Sequence, residues 1–440
     1  MVHKIIKLAV TDVRFPTSLE QHGSDAMVRS LALRLLEAHL HGNFPTLQHR
    51  DPDYSAAYVV ISTDVGLRGY GLTFTVGRGT EIVVCAVEAL AGLVVGKSLE
   101  EIISDFRGFY RLLTSDGQMR WIGPEKGVIH LATAAVLNAV WDLWARAEGK
   151  VGCGADPKQI VSCIDFRYIT DALTEQEALD ILMKAQEGKQ QREDQMLKEG
   201  YPAYTTSCAW MGYSDQQLKQ LCTDALNNGW TKFKMKVGAD LEDDIRRCRL
   251  IRQMIGPDNT LMIDANQRWD VGEAIAWVSR LAEFRPLWIE EPTSPDDILG
   301  HAAISKCHNR VMFKQFLQAS ALQFVQIDSC RLGSVNENLA VLLMAHKFQV
   351  PVCPHAGGVG LCELVQHLIL FDYICVSADL NNRMCEYVDH LHEHFTSPAV
   401  IRNACYMPPK DPGYSSEMLE SSVHTHQYPE GDVWKTLLNK

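Results

Sequence analysis

No two of the thirteen cysteines stand in a CxxC pair, and an odd count scattered through apolar stretches around Cys85, Cys222 and Cys375 excludes a disulfide framework or a zinc site. Reduced core thiols of an intracellular protein are expected instead. Basic charge is also short, with 42 Lys+Arg against 54 Asp+Glu and a formal net charge of -12. Without a basic run or a basic-aromatic stripe there is no track for a phosphate backbone, so nucleic acid is excluded as a partner. No uninterrupted apolar run reaches eighteen residues, which excludes a membrane partner. The N-terminus alternates like a strand and carries Asp12 where a transit peptide avoids acids, so no targeting segment is expected.

What the chain does carry is two kinds of periodicity. Strand signals cover 5–15, 56–63 and 69–76, with a turn at 64–66. Helical patterns follow over 79–97, 99–114 and 127–148, an α+β arrangement. From about 202 onward short strands alternate with helices, which predicts a parallel sheet, open or closed into a barrel. No GxGxxG follows the first of these strands, which weakens a dinucleotide-binding reading. The expected organisation is 1–150 as an α+β domain, 151–201 as a helical connection, 202–385 as a (β/α) barrel, and 386–440 as a closing segment.

Polar residues fall at the strand ends. Lys234, Lys236, Asp264, Glu290, Asp328 and His355 each lie at the C-terminal end of a strand-like run that leads into a helix. That end of a barrel is where catalytic groups converge. Any one of them alone is explained as a helix cap or a polar turn. The spacing argues for the set: 28 residues from 236 to 264, 26 from 264 to 290 and 27 from 328 to 355, each one βα repeat.

The residue types suit one chemistry. Lys234 and Lys236, at i and i+2 on a strand, share a face, and neighbouring ammoniums lower each other's pKa toward that of a usable base. Asp264 and Glu290 are hard oxygen ligands suited to Mg²⁺. Asp328 is placed to orient and support the His355 imidazole. Together they describe metal-assisted removal of a proton alpha to a carboxylate.

The runs KMKVG, IDANQRWD, WIEEPTSPDD, QIDSCRLGS, CPHAGGVGLCE and CEYVDH resemble the mandelate-racemase branch of the enolase superfamily, and within it the L-fuconate dehydratases, over nearly the whole chain. The resemblance implies an enolase-type α/β fold, with an N-terminal capping domain on a modified TIM barrel, and Mg²⁺-dependent conversion of a sugar acid to a 2-keto-3-deoxy acid. It further implies that Lys236 takes the C2 proton, Lys234 holds the substrate carboxylate, and Asp264 and Glu290 bind metal. His355, oriented by Asp328, would protonate the leaving C3 hydroxyl. Glu386, Gly23, Ser24, Asp25, Tyr54, Ala356 and Gly357 would contact substrate. A small acid sugar is then the implied partner, a homo-oligomer is allowed, and the mitochondrion is the implied compartment, with the cytosol left open.

The chain departs from the family pattern in three places. Glu290 and Asp328 are 38 residues apart, whereas two βα repeats need about 54. One internal barrel strand is therefore expected to be missing, and with it the third carboxylate ligand, since no Glu or Asp occurs between Asp297 and Asp328. Some twenty extra residues, about 27–49, form an insert of helical periodicity. The stretch 150–159 lacks the apolar residues that would continue a helix.

Overall fold

Apolar and polar residues alternate over the first strands, and the structure, a computed structural model, pairs them as one antiparallel sheet in the order β1 (Ile5–Arg14), β2 (Ser55–Thr63), β3 (Arg68–Thr75). The described residues are 2–20, 53–123, 125–151, 156–298, 300–301 and 309–438. The expected insert at 27–49 lies outside them. The β2–β3 turn closes at Gly66, whose φ of 84° is a left-handed conformation that glycine adopts without strain.

The helix Gly127–Ala147 packs flat against this sheet. A Cβ on Gly71 would come within 2.3 Å of the Ala135 carbonyl oxygen, so the close approach requires glycine. Though long and apolar enough to cross a membrane, this helix has 83% of its apolar window buried inside the protein, as a core helix does. The stretch 99–114, expected as one helix, is two, Leu99–Ser104 and Phe106–Thr114. Asp105 breaks it by leaving helical dihedrals to accept from Gly108 N–H as the cap of the second helix.

The barrel-like domain begins at β4 (Tyr201–Thr205) and continues through β5 (Lys232–Lys236), β6 (Thr260–Asp264) and β7 (Ile289–Glu290), all parallel, with β8 (Cys385–Tyr387) on the other side of β4. The expected strands at 322–328 and 351–355 form no extended ladder. They meet through the parallel bridge Val325–Val352, with Cys353 N–H donating to Val325 O and His355 N–H to Ile327 O. Glu386 N–H donates to Pro354 O and joins this pair to β8.

Among the described residues no ladder joins β7 to the 325–327 segment. The two face each other across an apolar cleft of about 230 Å³ lined by Leu287, Trp288, Ile289, Gln323, Phe324 and Cys353. Trp288 reaches over to Phe324, with ring centroids 4.9 Å apart. Residues 291–298 turn and begin a helix, and the next described helix after residue 309 is Arg310–Gln318. The cleft lies where the 38-residue interval predicts a strand to be absent.

After β8, strands β9 (Val400–Arg402) and β10 (Cys405–Met407) add an antiparallel edge to β4. The chain then returns to the first sheet, where Tyr428 N–H donates to Asp12 O and the Trp434 indole to Arg14 O. The two halves are also fastened by a buried ionic network. Glu337 accepts from His130 at 2.7 Å, Arg310 at 2.5 Å and the Tyr110 hydroxyl at 3.1 Å. Each of these groups is isolated from water, so each depends on the others to remain charged or hydrogen-bonded.

Candidate active site

Strands β5, β6 and β7 run in register, so Lys236 pairs with Asp264 and Asp264 with Glu290 at the same end of the sheet. All are buried. Lys234 Nζ lies 3.0 Å from both Glu290 carboxylate oxygens, 2.6 Å from Glu386 Oε1 and 3.4 Å from Asp264 Oδ2. Lys236 Nζ donates to Asp264 Oδ2 at 2.7 Å. Just past these strands the backbone turns left-handed at Asn266, Gln267 and Glu291, with φ of 48°, 60° and 43°. Such strain in non-glycine residues collects at functional sites. Here it is held by Asn266 N–H on Asp264 Oδ1 and Gln267 N–H on Glu291 O.

The other side of the cavity is the histidine dyad. His355 Nδ1 is 2.8 Å from Asp328 Oδ2, and Asp328 Oδ1 accepts from the N–H groups of Cys330 and Arg331. His355 Nε2 points toward Glu386, 3.7 Å from Oε2, and that same oxygen accepts from Ala356 N–H. A Cβ on Gly357 would sit 3.0 Å from His355 Nε2, so the glycine leaves that nitrogen open. From the first domain, Tyr54 stands edge-on to Phe74, centroids 5.2 Å apart, and both line the cavity.

The electrostatics correct one sequence expectation. Burial alone would lower the Lys234 pKa, but the charges of Glu290 and Glu386 outweigh it and hold the ammonium well above its ordinary value. The neighbouring carboxylates, not the neighbouring lysine, therefore decide its proton affinity. Asp264 is pushed up by burial and by Glu290, against the pull of Lys236. Burial also pushes Asp328 and Glu386 up, but each ends below the usual range. The His355 hydrogen bond and Arg331 overcome it for Asp328, and Lys234 followed by His355 for Glu386.

As a cation site, Asp264 and Glu290 are two hard oxygen donors brought face to face, which suits Mg²⁺ bound partly through substrate oxygens. No group of three or more such side chains arranged to hold a metal occurs among the described residues. The donor set fits the ion, with one carboxylate fewer than the family pattern.

Residues 46–151 match the family model described as "Mandelate racemase / muconate lactonizing enzyme, N-terminal domain", and residues 217–422 match "Enolase C-terminal domain-like". The chain belongs to the enolase superfamily, in its mandelate-racemase branch. Mitochondrial enolase superfamily member 1 of Bos taurus is 68% identical over 460 aligned positions, covering 100% of this chain and 99% of that relative. The alignment is 20 positions longer than the 440 residues of this chain, so the relative has residues with no counterpart here. The L-galactonate dehydratase of Hypocrea jecorina is 47% identical, covering 97% of this chain and 94% of the relative. The crystal structure of human mitochondrial enolase superfamily member 1 superposes with a TM-score of 0.93 at 67% identity, covering 100% of this chain and 99% of that one.

Within this enolase-superfamily chain the structure brings together Lys234, Lys236, Asp264, Glu290, Asp328, His355, Ala356, Gly357, Glu386 and Tyr54, ten of the residues expected from sequence. Gly23, Ser24 and Asp25 lie outside the described residues. Sequence reasoning missed Phe74, Thr206, Trp210, Asn266, Glu291, Arg331 and Val388, which also line the cavity. Arg331 and Asn266 had a usable signal, standing two or three residues past expected site residues. Phe74 and Trp210 had none, because neither carries a charge and neither ends a charged strand.

Proposed function

We propose that the site dehydrates L-fuconate to its 2-keto-3-deoxy acid. The reading rests on one observation: Lys236 and the His355–Asp328 pair border the same small cavity as Asp264, Glu290 and Glu386. Lys234 would receive the substrate carboxylate, and Glu386 would accept from a substrate hydroxyl. As the neutral amine, Lys236 Nζ would take the C2 proton; the C3–oxygen bond then breaks as His355 Nε2 delivers its proton to the departing hydroxyl. Water leaves, and the enol relaxes to the ketone. Asp264 and Glu290 would hold Mg²⁺, which supplies positive charge against the electrons that gather on the substrate carboxylate. Asp328 keeps the imidazole oriented by accepting from Nδ1.

Relatives support the reaction class, and the cavity supports the sugar. L-fuconate is L-galactonate with its C6 hydroxyl replaced by hydrogen, and Tyr54, Phe74 and Val388 give the cavity an apolar wall suited to a methyl terminus. The mitochondrial location in the relatives' name extends to this chain as part of the same reading. Incubating the purified chain with Mg²⁺ and either acid, then assaying the keto acid, tests it. Keto acid from L-fuconate in preference to L-galactonate supports the proposal; product from neither sinks it. The second outcome would favour a folded but catalytically impaired chain. That alternative is motivated by the cleft beside β7 and by the finding that no three carboxylates among the described residues are grouped to hold a metal.

A further inference from the structure

Trp210 lies in the segment after β4, is 3% exposed, and borders the cavity together with Lys236, Asp264 and His355. Its indole N–H is buried and has no hydrogen-bond acceptor. Buried tryptophans nearly always find one. Several other buried polar atoms are also unpaired, but among the described residues Trp210 is the one such residue that lines this cavity.

The ring is fixed in place. The buried Arg247 guanidinium donates to the carbonyls of Ala209 and Trp210 at 3.2 and 3.0 Å, and Lys236 N–H donates to Ala209 O at 3.2 Å. The indole meets His390 edge to face, centroids 5.8 Å apart at 85°, and leans on Tyr213 at 5.8 Å. A donor held this rigidly loses little freedom when an acceptor arrives.

The geometry points to Trp210 as a substrate-binding residue whose indole N–H donates to a hydroxyl of the acid sugar beyond C3. The inference rests on the acid-sugar reading, in which C1 faces Lys234 while C2 and C3 lie between Lys236 and His355. Only the C4 and C5 hydroxyls then remain for a neutral donor on this wall. An aromatic ring with one such donor discriminates by hydroxyl position.

Binding to the full-length chain separates this from simple packing. Trp210→Phe keeps the ring and removes the N–H. Dissociation constants are measured by calorimetry, in magnesium buffer, for L-fuconate and its 4-deoxy and 5-deoxy analogues. The variant should bind L-fuconate about tenfold more weakly, and that deficit should vanish for one of the two analogues. Its melting temperature should not fall through loss of the N–H, since the donor makes no bond in the free protein. Unchanged affinity for L-fuconate, or the same loss with all three ligands, overturns the inference while leaving the acid-sugar reading intact. Failure of the unsubstituted chain to bind any of the three overturns both.

Discussion

The carboxylates of Asp264 and Glu290, register partners on β6 and β7, converge on one ammonium: Lys234 Nζ lies 3.4 Å from the first and 3.0 Å from the second. A divalent cation at this pair must compete with that lysine, and among the described residues no third ligand helps it.

Magnesium is therefore expected to bind weakly. Inserting a segment of roughly fourteen residues, an apolar strand ending in Glu, between Lys306 and Cys307 should raise metal affinity, melting temperature and L-fuconate turnover together. Each apolar side chain the new strand buries contributes about 1.5–3 kcal/mol. Magnesium titration, thermal melts and keto-acid assays of both chains make the comparison. Equal performance by the chain as it stands would show that strand and ligand to be dispensable.

Lys236→Ala and His355→Asn should each lower dehydration by about 10²–10⁴-fold, the usual worth of a positioned base or acid. Lys236→Ala also removes a buried ion-pair partner of Asp264 and should lower the melting temperature, whereas His355→Asn should change folding little. Steady-state turnover with matched melting curves is the check; near-normal turnover in Lys236→Ala would refute its assignment as the base.

Glu337→Gln should destabilise the protein by about 1.5–3 kcal/mol near neutral pH, because Arg310 keeps Glu125 and Asp165 but loses its charge-assisted bond to Glu337. Burial pushes the Glu337 carboxyl up, but His130 and Arg310 overcome it and hold it far below the ordinary 4.5. A carboxylate with a depressed folded pKa stabilises fully above its unfolded value and loses that contribution as pH falls toward the folded one. Melting temperatures of wild type and variant should thus differ most above pH 4.5 and approach each other below it. A constant gap down to pH 3 would mean that Glu337 acts through packing alone.

Gly358→Ala should loosen the seat of the first domain on the barrel. Its Cβ would come 2.7 Å from the Phe74 ring, which lies deep between the domains and cannot swing away freely. Overpacking of this kind costs about 1–3 kcal/mol. A melting temperature lowered by several degrees and weaker L-fuconate binding are expected, whereas an unchanged melt would show that the two domains shift apart readily.

Much of the site is local in origin and so was legible in the sequence. A parallel βα barrel repeats one strand and one helix, so residues at strand ends recur at a near-constant interval; Lys236, Asp264 and Glu290 kept that interval and fell into register. The same regularity exposed the short interval before Asp328, where the structure has a cleft beside β7. Proton affinity was not legible, because it depends on neighbours remote in the chain. Lys234 was expected to be tuned by Lys236, two residues away, and is governed by Glu290 and Glu386. Nor did the sequence disclose the wall formed by Phe74 and Trp210: apolar residues look alike in sequence whether they fill a core or border a cavity. The packing of the first sheet on the barrel made that distinction, through contacts between segments hundreds of residues apart, such as Phe74 against Gly358.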